Sequence, residues 1–411
     1  MHIWLISAFE PTPLDNTRPM RFMGIADAAL QRGHRITFYT TTFKHNTKSY
    51  RFDRTTSKTI EKNRYNIVFV HSKPYHKNIS WSRIMAHYDL GQKLLHEVKQ
   101  ENDKPDIIFI SLPPLSTVDN ICQWGKENNI PVIVDIIDPW PDVFLKIVPT
   151  PLQGLARIPL SPFYLKLKRI MKNCTGITAI SKQYVEWAKA YCSNGKAAAF
   201  FYPSVQFDEV KAAFNKLQVT LEKDNSKLRI IYAGSLSSSY DIPTILTAAE
   251  ILEQKHPDRT EFAIAGTGPQ ESLIKEKGLK NVKYLGWLGQ DEMYKEFYLS
   301  HLGLTQHIAG ATQSVTYKLF DYLSAGLPIL NSLDSEMADI ISENKVGFNN
   351  RSGDAGELAS NIERFINNKE MLASYRENAL LLTAKIGDSK TVYASLIEFI
   401  EECKRGNTVC V

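Results

Sequence analysis

The chain has 411 residues, enough for two or three domains of ordinary size. Its 43% hydrophobic and 23% charged residues are typical of a soluble globular protein, and a net charge of +5 is too small to indicate nucleic-acid binding. No apolar run reaches the length of a transmembrane helix, and the N-terminus lacks the pattern of a signal peptide.

Five cysteines are scattered along the chain, an odd number without CxxC spacing. This pattern indicates reduced thiols and therefore predicts a cytoplasmic protein.

The first half of the chain alternates short apolar segments with helical patterns. Strands rich in β-branched residues are predicted at His2–Ile6, 35–40, 66–70, 106–110 and 131–136, with further short strands at 176–180 and 197–201. Helical patterns occupy Arg21–Gln31 and 83–100 between them. Alternation of this kind predicts a parallel sheet with helices on both faces.

A charged and weakly periodic stretch, 206–226, is the candidate linker, and a second strand–helix series starts at Leu228–Ala233. The sequence therefore predicts an α/β fold with two Rossmann-like domains that face a central cleft. The predicted bounds are 1–205 and 227–385, followed by a terminal helical segment at 386–411. Each series opens with a strand that runs into a loop, where ligands of such sheets bind.

The segment 314–330, SVTYKLFDYLSAGLPIL, carries the strongest functional signal. A polar loop leads into a helical pattern in which Lys318 and Asp321 lie three positions apart, on one face. A helix N-terminus suits a diphosphate, and a carboxylate one turn further on suits the two hydroxyls of a ribose. The segment therefore predicts a nucleotide held by its diphosphate and its ribose.

This segment resembles the nucleotide-sugar motif of the retaining glycosyltransferases of family 4, whose fold is called GT-B. The resemblance implies that Asp321 binds the ribose and that Ser314, Val315 and Thr316 form the loop at the donor sugar and diphosphate. Gln313 stands eight positions before Asp321, where the family usually has a second acidic residue near the donor sugar. The resemblance also implies that the terminal helix returns to the first domain.

Two glycine-bearing loops follow predicted strands of the second series. Gly234 and Ser235 end the first strand, and Gly266 and Gly268 end the next. Glycine permits close approach of backbone to phosphate, and the family has similar Y-A-G and G-x-G-P segments. Tight turns with convenient glycines are the alternative. No Lys or Arg follows Gly234 up to position 241, which leaves diphosphate charge to backbone N–H groups, serine hydroxyls and Lys318.

The segment 135–142, DIIDPWPD, ends a strand of the first series. It resembles a D-x-x-D-x-W-P segment in transferases that build bacterial surface glycans, which implies that Asp138 faces the donor sugar. Capping of the next helix is the alternative role. The acids at 135, 138 and 142 have no nearby His and no second D-x-D, so no metal site is predicted.

The loop 9–21 has three prolines and the polar residues Asn16, Arg18 and Arg21. The arginines are candidates to receive an anionic acceptor phosphate. Solvated loop arginines are the alternative.

The stretch 152–173 interleaves basic and apolar residues. Such a segment can lie on an anionic membrane, although an ordinary surface helix with a buried stripe gives a similar pattern. Its basic residues are Arg157, Lys166, Lys168, Arg169 and Lys172.

The resemblance implies a retaining glycosyltransferase that moves a hexose or N-acetylaminosugar from a nucleotide diphosphate, with UDP as the expected nucleotide. The acceptor would be a lipid-linked or growing bacterial surface glycan such as O-antigen or capsule. No metal or other cofactor and no nucleic acid is expected, and the location would be cytoplasmic or peripheral on the inner membrane face. Two alternatives remain open: a nucleotide-sugar epimerase of similar fold, and a non-catalytic nucleotide-sugar-binding scaffold of a glycan assembly complex.

Overall fold

A computed structural model of the chain describes residues 1–15, 20–60, 65–192, 196–224 and 226–406. They divide into two compact units, Pro203–Thr391 and a unit formed by Met1–Tyr202 with the chain from Val392 onward.

The first unit is built on one mainly parallel sheet. The strands of the unit are β1 (His2–Ile6), β2 (Arg35–Thr41), β3 (Phe43–Lys44), β4 (Ser49–Tyr50), β5 (Thr56–Ile60), β6 (Tyr65–Val70), β7 (Ile107–Leu112), β8 (Val132–Ile136), β9 (Gly176–Ala179) and β10 (Ala197–Phe200). The sheet order is β10-β9-β8-β7-β1-β2-β6-β5. Strand β5 is antiparallel to β6, and β3 and β4 form a separate short hairpin.

Helices cover both faces of this sheet. They are α1 (Arg21–Gln31), α2 (Trp81–Gln100), α3 (Leu115–Glu127), α4 (Gln153–Ala156), α5 (Ser161–Asn173) and α6 (Lys182–Lys189). Alternate residues of a strand point to opposite faces, so Trp4 packs in the cluster under α2, α3 and α5, whereas Ile3 packs in the cluster under α1. The predicted parallel sheet with two covered faces is confirmed.

The second unit has a parallel sheet of order β13-β12-β11-β14-β15-β16. Its strands are β11 (Leu228–Ala233), β12 (Thr260–Ala265), β13 (Val282–Gly286), β14 (Leu302–Thr305), β15 (Ile329–Asn331) and β16 (Gly347–Asn349). Its helices are α7 (Phe207–Thr220), α8 (Ile242–Lys255), α9 (Glu271–Lys277), α10 (Gln290–Leu299), α11 (Tyr317–Ser324), α12 (Glu336–Glu343), α13 (Ala355–Asn367) and α14 (Lys369–Leu382). The last helix, α15 (Ser389–Arg405), follows.

The division between the units falls at other positions than the predicted bounds. The stretch 206–226, expected as a linker, holds α7, whose residues Phe207 and Val210 are buried within the second unit. The second division lies inside α15, and its residues from Val392 onward belong to the first unit. There Leu396 and Ile400 enter the same core cluster as Ile3.

The sequence also led to expectations about membrane-spanning helices and cysteines. No described helix is both long and apolar enough to cross a membrane. Cys122, Cys174, Cys192 and Cys403 are free thiols, and Cys410 lies outside the described residues.

Candidate functional site

The loops that follow β11 and β12 lie side by side in the second unit. The two strands are parallel, with Ala233 beside Ala265, and the Gly234 N–H donates to the Ala265 carbonyl at 2.9 Å. A Cβ on Gly266 would stand 1.8 Å from the Gly234 carbonyl oxygen, and φ at Gly266 is +137°. Close packing of the two loops therefore requires glycine at 266, whether or not a ligand is bound.

Glycine is required at position 268 for a similar structural reason. A Cβ there would stand 2.7 Å from the Leu236 carbonyl, and Leu236 donates its N–H to Thr267 at 2.9 Å. Ser235 is exposed, and its carbonyl accepts a hydrogen bond from the Tyr232 hydroxyl at 2.6 Å. The tight-turn alternative thus accounts for Gly266 and Gly268, whereas Gly234 is half-buried and Ser235 is exposed.

Helix α11 begins beside these loops. Its Tyr322 hydroxyl accepts a hydrogen bond from the Ala233 N–H at 2.8 Å, which joins the helix to the end of β11. A Cβ on Gly303 of β14 would stand 2.5 Å from the Tyr322 ring, so a small residue is required under the helix. The first turn of α11 is therefore placed at the carboxyl ends of the central strands, where a phosphate-binding helix of an α/β sheet belongs.

Lys318 lies in that first turn, against Gly234. Its Nζ donates to the Tyr232 hydroxyl at 3.1 Å and stands 3.6 Å from the centre of the Tyr240 ring. A Cβ on Gly234 would approach Lys318 Cε to 2.5 Å, so glycine at 234 makes room for this side chain. Burial lowers the pKa of Lys318 to about 7, and the charge of Asp321 partly opposes this shift.

The loop before α11 holds buried polar atoms that have no hydrogen-bond partner among the described residues. These are Nε2 of His307, Oε1 of Gln313 and Oγ of Ser314. Such atoms cost about 1–3 kcal/mol each unless water or a ligand pairs with them. Val315 is buried, and the Thr316 hydroxyl donates to Met337 Sδ at 3.7 Å, so the backbone of these two residues is what the loop can offer a ligand.

His307 was not predicted as a site residue. Burial lowers its pKa to about 4, and the charge of Lys318 adds to the shift, so the ring is neutral near pH 7. Its Nδ1 lies 3.3 Å from the Thr305 carbonyl, which places the proton on Nδ1 and leaves Nε2 as an acceptor. Nothing in the sequence indicated this acceptor, because a single histidine after a strand does not form a recognisable motif.

Asp138 lies in the first unit, after β8. It is half-buried, and burial raises its pKa to about 6 while the charge of Arg83 opposes the shift. The 3₁₀ helix that follows, Asp142–Ile147, begins after Pro141 without a side-chain cap, so Asp138 is not its cap.

Arg83 was not predicted as a site residue either. Its guanidinium stands over three aromatic rings, 5.1 Å from Trp140, 5.5 Å from Phe9 and 5.7 Å from Tyr75. Phe9 follows β1, Tyr75 follows β6 and Trp140 follows β8, so strands distant in sequence build this arrangement. The helical pattern at 83–100 carried no indication that Arg83 lies among these rings.

The acids at 135 and 142 have separate structural partners. Asp142 accepts hydrogen bonds from Trp187 Nε1 at 2.7 Å, from the Tyr191 hydroxyl at 3.1 Å and from the Tyr164 hydroxyl. Asp135 is buried and accepts from the Thr178 hydroxyl at 2.6 Å. Within the described part of the chain, no group of three His, Cys, Asp or Glu side chains is arranged to hold a metal ion.

The expected acceptor role of Arg21 is wrong. Arg21 is the first residue of α1 and is buried, with Nε 2.7 Å and a terminal nitrogen 2.9 Å from the two carboxylate oxygens of Asp135. Its other terminal nitrogen donates to the Phe201 carbonyl at 2.8 Å. The guanidinium is held in the core as a structural ion pair, so it is not available to an acceptor phosphate. Asn16 and Arg18 lie outside the described residues.

The second unit thus brings Gly234, Lys318 and the loop from His307 to Thr316 to one edge of its sheet. Asp321 is half-buried on the same helix as Lys318, one turn further on. In the first unit, the charge of Arg83 acts on Asp138 and opposes the rise of its pKa.

Comparison with known proteins is consistent with this architecture. Residues 213–381 match the family described as "Glycosyl transferases group 1". No curated protein sequence matches the chain significantly.

Solved structures match almost the whole chain at low identity. Sucrose-phosphate synthase from Thermosynechococcus elongatus has a TM-score of 0.73 at 11% identity, over 99% of this chain and 100% of that one. Anabaena HepE in complex with UDP-glucose has a TM-score of 0.67 at 14% identity, over 98% and 100%. The Escherichia coli trehalose-6-phosphate protein bound with UDP-2-fluoro glucose has a TM-score of 0.68 at 13% identity, over 98% and 99%. The chain therefore has the GT-B fold with two Rossmann-like units, and residues 213–381 are similar to the group 1 glycosyl transferases.

Proposed function

We propose that the protein is a retaining glycosyltransferase of the family 4 type that uses a UDP-sugar. The observation that carries this proposal is the position of Lys318, a half-buried cation in the first turn of α11 against Gly234. The group 1 domain supports it, and two of the similar structures hold UDP-glucose or UDP-2-fluoro glucose.

The diphosphate would bind where α11 begins. The first N–H groups of a helix have no intrahelical acceptor and carry positive potential, and protonated Lys318 adds its charge beside them. Charge that develops on the leaving UDP is then stabilised by groups that are already in place before the reaction. Further hydrogen bonds to the diphosphate would come from the backbone N–H groups of residues 314–316 and from the Ser235 hydroxyl.

The ribose and the donor sugar would bind on either side of the diphosphate. Asp321, one turn after Lys318, accepts hydrogen bonds from the ribose hydroxyls. Gln313 Oε1 and His307 Nε2 are acceptors without partners among the described residues, and sugar hydroxyls are the donors that would pair with them. Gln313 would thus replace the usual acid of the family with a neutral acceptor.

The chemical step follows from the family resemblance. The bond from the anomeric carbon to the UDP oxygen breaks, and the acceptor oxygen forms its bond on the same face. The proton of the acceptor hydroxyl passes to the leaving phosphate, and the family resemblance implies that no metal takes part. Asp138 is proposed to contact the donor sugar.

The proposed acceptor is a lipid-linked or growing bacterial surface glycan. Such an acceptor is presented at the inner face of the cytoplasmic membrane, where the protein would bind peripherally. The hexosyl or N-acetylaminosugar donor is to be identified by assay with individual UDP-sugars.

The direct test is the substitution Asp321→Ala, followed by calorimetric titration of the folded variant with UDP. Loss of charge-assisted hydrogen bonds to the ribose should weaken binding by about 1.5–3 kcal/mol, roughly 10- to 150-fold. Asp339→Ala, an exposed position on α12, is the matched control and should bind UDP like the unmodified protein.

Unchanged UDP affinity in folded Asp321→Ala would remove Asp321 from the site. A changed nucleotide sugar released without any acceptor would instead identify an epimerase.

A further inference from the structure

Helix α2 of the first unit has a second apolar stripe, which faces solvent. Trp81, Met85 and Tyr88 are spaced like one face of a helix, and all three are exposed, Trp81 at 80%. The opposite face of α2 contributes Leu90, Leu94 and Val98 to the core. The exposed stripe therefore lies outside the core of this unit, and Ile79, just before the helix, is another exposed apolar side chain.

A second exposed apolar group lies in the segment that leads into α5. Leu155 and Ile158 are exposed at 66% and 67%, and Leu165 on the outer face of α5 is exposed at 65%. The inner face of the same helix buries Leu167, Ile170 and Met171 in the core. The stretch 152–173 thus combines the buried stripe of an ordinary surface helix with an outer face that also carries large apolar side chains.

The two groups belong to one surface. Helix α3 packs between α2 and α5, and all three contribute to the core cluster on one face of the sheet. At the outer side, Lys166 Nζ of α5 stands 5.9 Å from the centre of the Tyr88 ring of α2. A side chain of one helix therefore reaches the exposed stripe of the other.

The charges on this surface are mainly positive. Lys168 and Lys172 are exposed on the outer face of α5, and within the described residues neither they nor Lys166 forms an ion pair. Arg169 differs, because Asp119 accepts two hydrogen bonds from its guanidinium and neutralises it. Of the basic residues expected to act at a membrane, Arg169 is thus engaged within the protein.

We propose that α2 from Trp81 to Tyr88 and the segment from Leu152 to Lys172 form one surface that docks on an anionic lipid bilayer. Exposed aromatic and aliphatic side chains enter the headgroup region, and the lysines meet the lipid phosphates. A second copy of the chain fits less well, because its own lysines would face these lysines. The inference rests on the proposed function in one respect: a lipid-linked acceptor requires the enzyme to work at a membrane.

The test is co-sedimentation of the full chain with two kinds of vesicle, phosphatidylcholine alone and phosphatidylcholine mixed with phosphatidylglycerol. We expect binding to the mixed vesicles, weakened by salt, and little binding to phosphatidylcholine alone. Trp81→Ser combined with Met85→Ser should reduce binding, and both side chains are exposed, so the fold should persist. Lys166→Gln, Lys168→Gln and Lys172→Gln together should reduce it about 100-fold, at about fivefold per lysine.

Matched controls come from the second unit. Val219→Ser with Leu381→Ser removes exposed apolar side chains, and Lys280→Gln, Lys283→Gln and Lys295→Gln together remove the same charge. These variants should bind the mixed vesicles like the unmodified protein. Equal losses in both sets, or no binding to the mixed vesicles at low salt, would overturn the proposal. Dimerisation that depends on Trp81, measured by light scattering, would also overturn it.

Calorimetric titration of the same variants with UDP separates this proposal from the proposed function. UDP affinity that is kept while vesicle binding is lost supports the docking surface. If UDP affinity is kept and the protein never binds vesicles, the docking surface fails alone. If UDP does not bind the unmodified protein, the proposed function fails, and vesicle binding still decides the docking surface.

Discussion

Lys318 is held in surroundings that oppose its charge. Burial lowers its pKa to about 7, and its hydrogen bond goes to a neutral hydroxyl, that of Tyr232. A lysine in this state is charged in only about half of the molecules at pH 7. A diphosphate bound at the start of α11 would supply the missing negative charge and raise this pKa again.

The affinity for UDP should therefore fall as pH rises above about 7. Protonated Lys318 is the form that binds UDP, and the free protein loses that proton with a pKa of about 7. Affinity should drop up to tenfold per pH unit until the pKa of the complex is reached, and binding should take up protons. Calorimetry from about pH 7 to about pH 9, in buffers of different ionisation enthalpy, measures both effects.

Lys318→Arg is the matched control, because arginine stays charged over this range. Its UDP affinity should be almost independent of pH, whatever its absolute value. The same pH slope in both proteins would show that another group causes it.

Individual residues were the hardest feature to predict from sequence. Asp321 and Lys318 could be placed on one helical face because their spacing is local. Arg21 could not be understood, since its partner Asp135 lies 114 positions away, on β8. His307 and Arg83 gave no local signal either, because burial and neighbours from other strands determine their environments.

The loops after β11 and β12 behave as one packed element. The Gly234 carbonyl fills the space where a Cβ on Gly266 would lie. Movement of either loop would also displace Lys318, which packs on Gly234. The position of the Lys318 side chain thus depends on how the backbone of the loop after β11 packs against the backbone of the loop after β12.

Gly266→Ala should therefore destabilise the protein and weaken UDP binding. The new Cβ would meet backbone at 1.8 Å, in addition to the strain of a positive φ. Gly286→Ala is the matched control, because φ there is +69° and nothing lies within 4 Å of the new Cβ. The control should cost about 1–2 kcal/mol of unfolding free energy in urea titration, and Gly266→Ala clearly more. Equal losses would mean that the two loops separate easily.

Elements were predicted well where their pattern repeats. Strands β1 and β11 and helix α1 were predicted at their observed bounds. Helix α7 was predicted to be a linker because only two of its residues, Phe207 and Val210, are buried, and the many charged residues around them obscure the helical pattern. A pattern of two buried side chains in a 14-residue helix is too weak to distinguish from a solvated segment.

At the scale of the whole molecule, the alternation of strands and helices was sufficient for the fold class. Parallel strands need helical crossovers, so two such series leave few topologies. Sheet order and the assignment of α15 to the first unit depend on contacts between distant parts of the chain. Only the family resemblance indicated where α15 packs.

The groups that surround the start of α11 bear on how the protein would hold the charge of a diphosphate. Asp135 is paired with Arg21, and Asp142 is held by Tyr164, Trp187 and Tyr191, so these acids are already engaged. The start of α11 and Lys318 provide positive charge in the second unit. We therefore predict that UDP binding and sugar transfer do not require a metal ion.

Dialysis against EDTA, followed by calorimetric titration with UDP, tests this directly. Affinity should stay within about twofold of the undialysed value, because a helix terminus and a lysine are not removed by a chelator. The control is Lys318→Gln, which should lose affinity with or without EDTA. If EDTA abolished UDP binding in the unmodified protein and Mg²⁺ or Mn²⁺ restored it, the diphosphate would be held through a metal, and the prediction would be wrong.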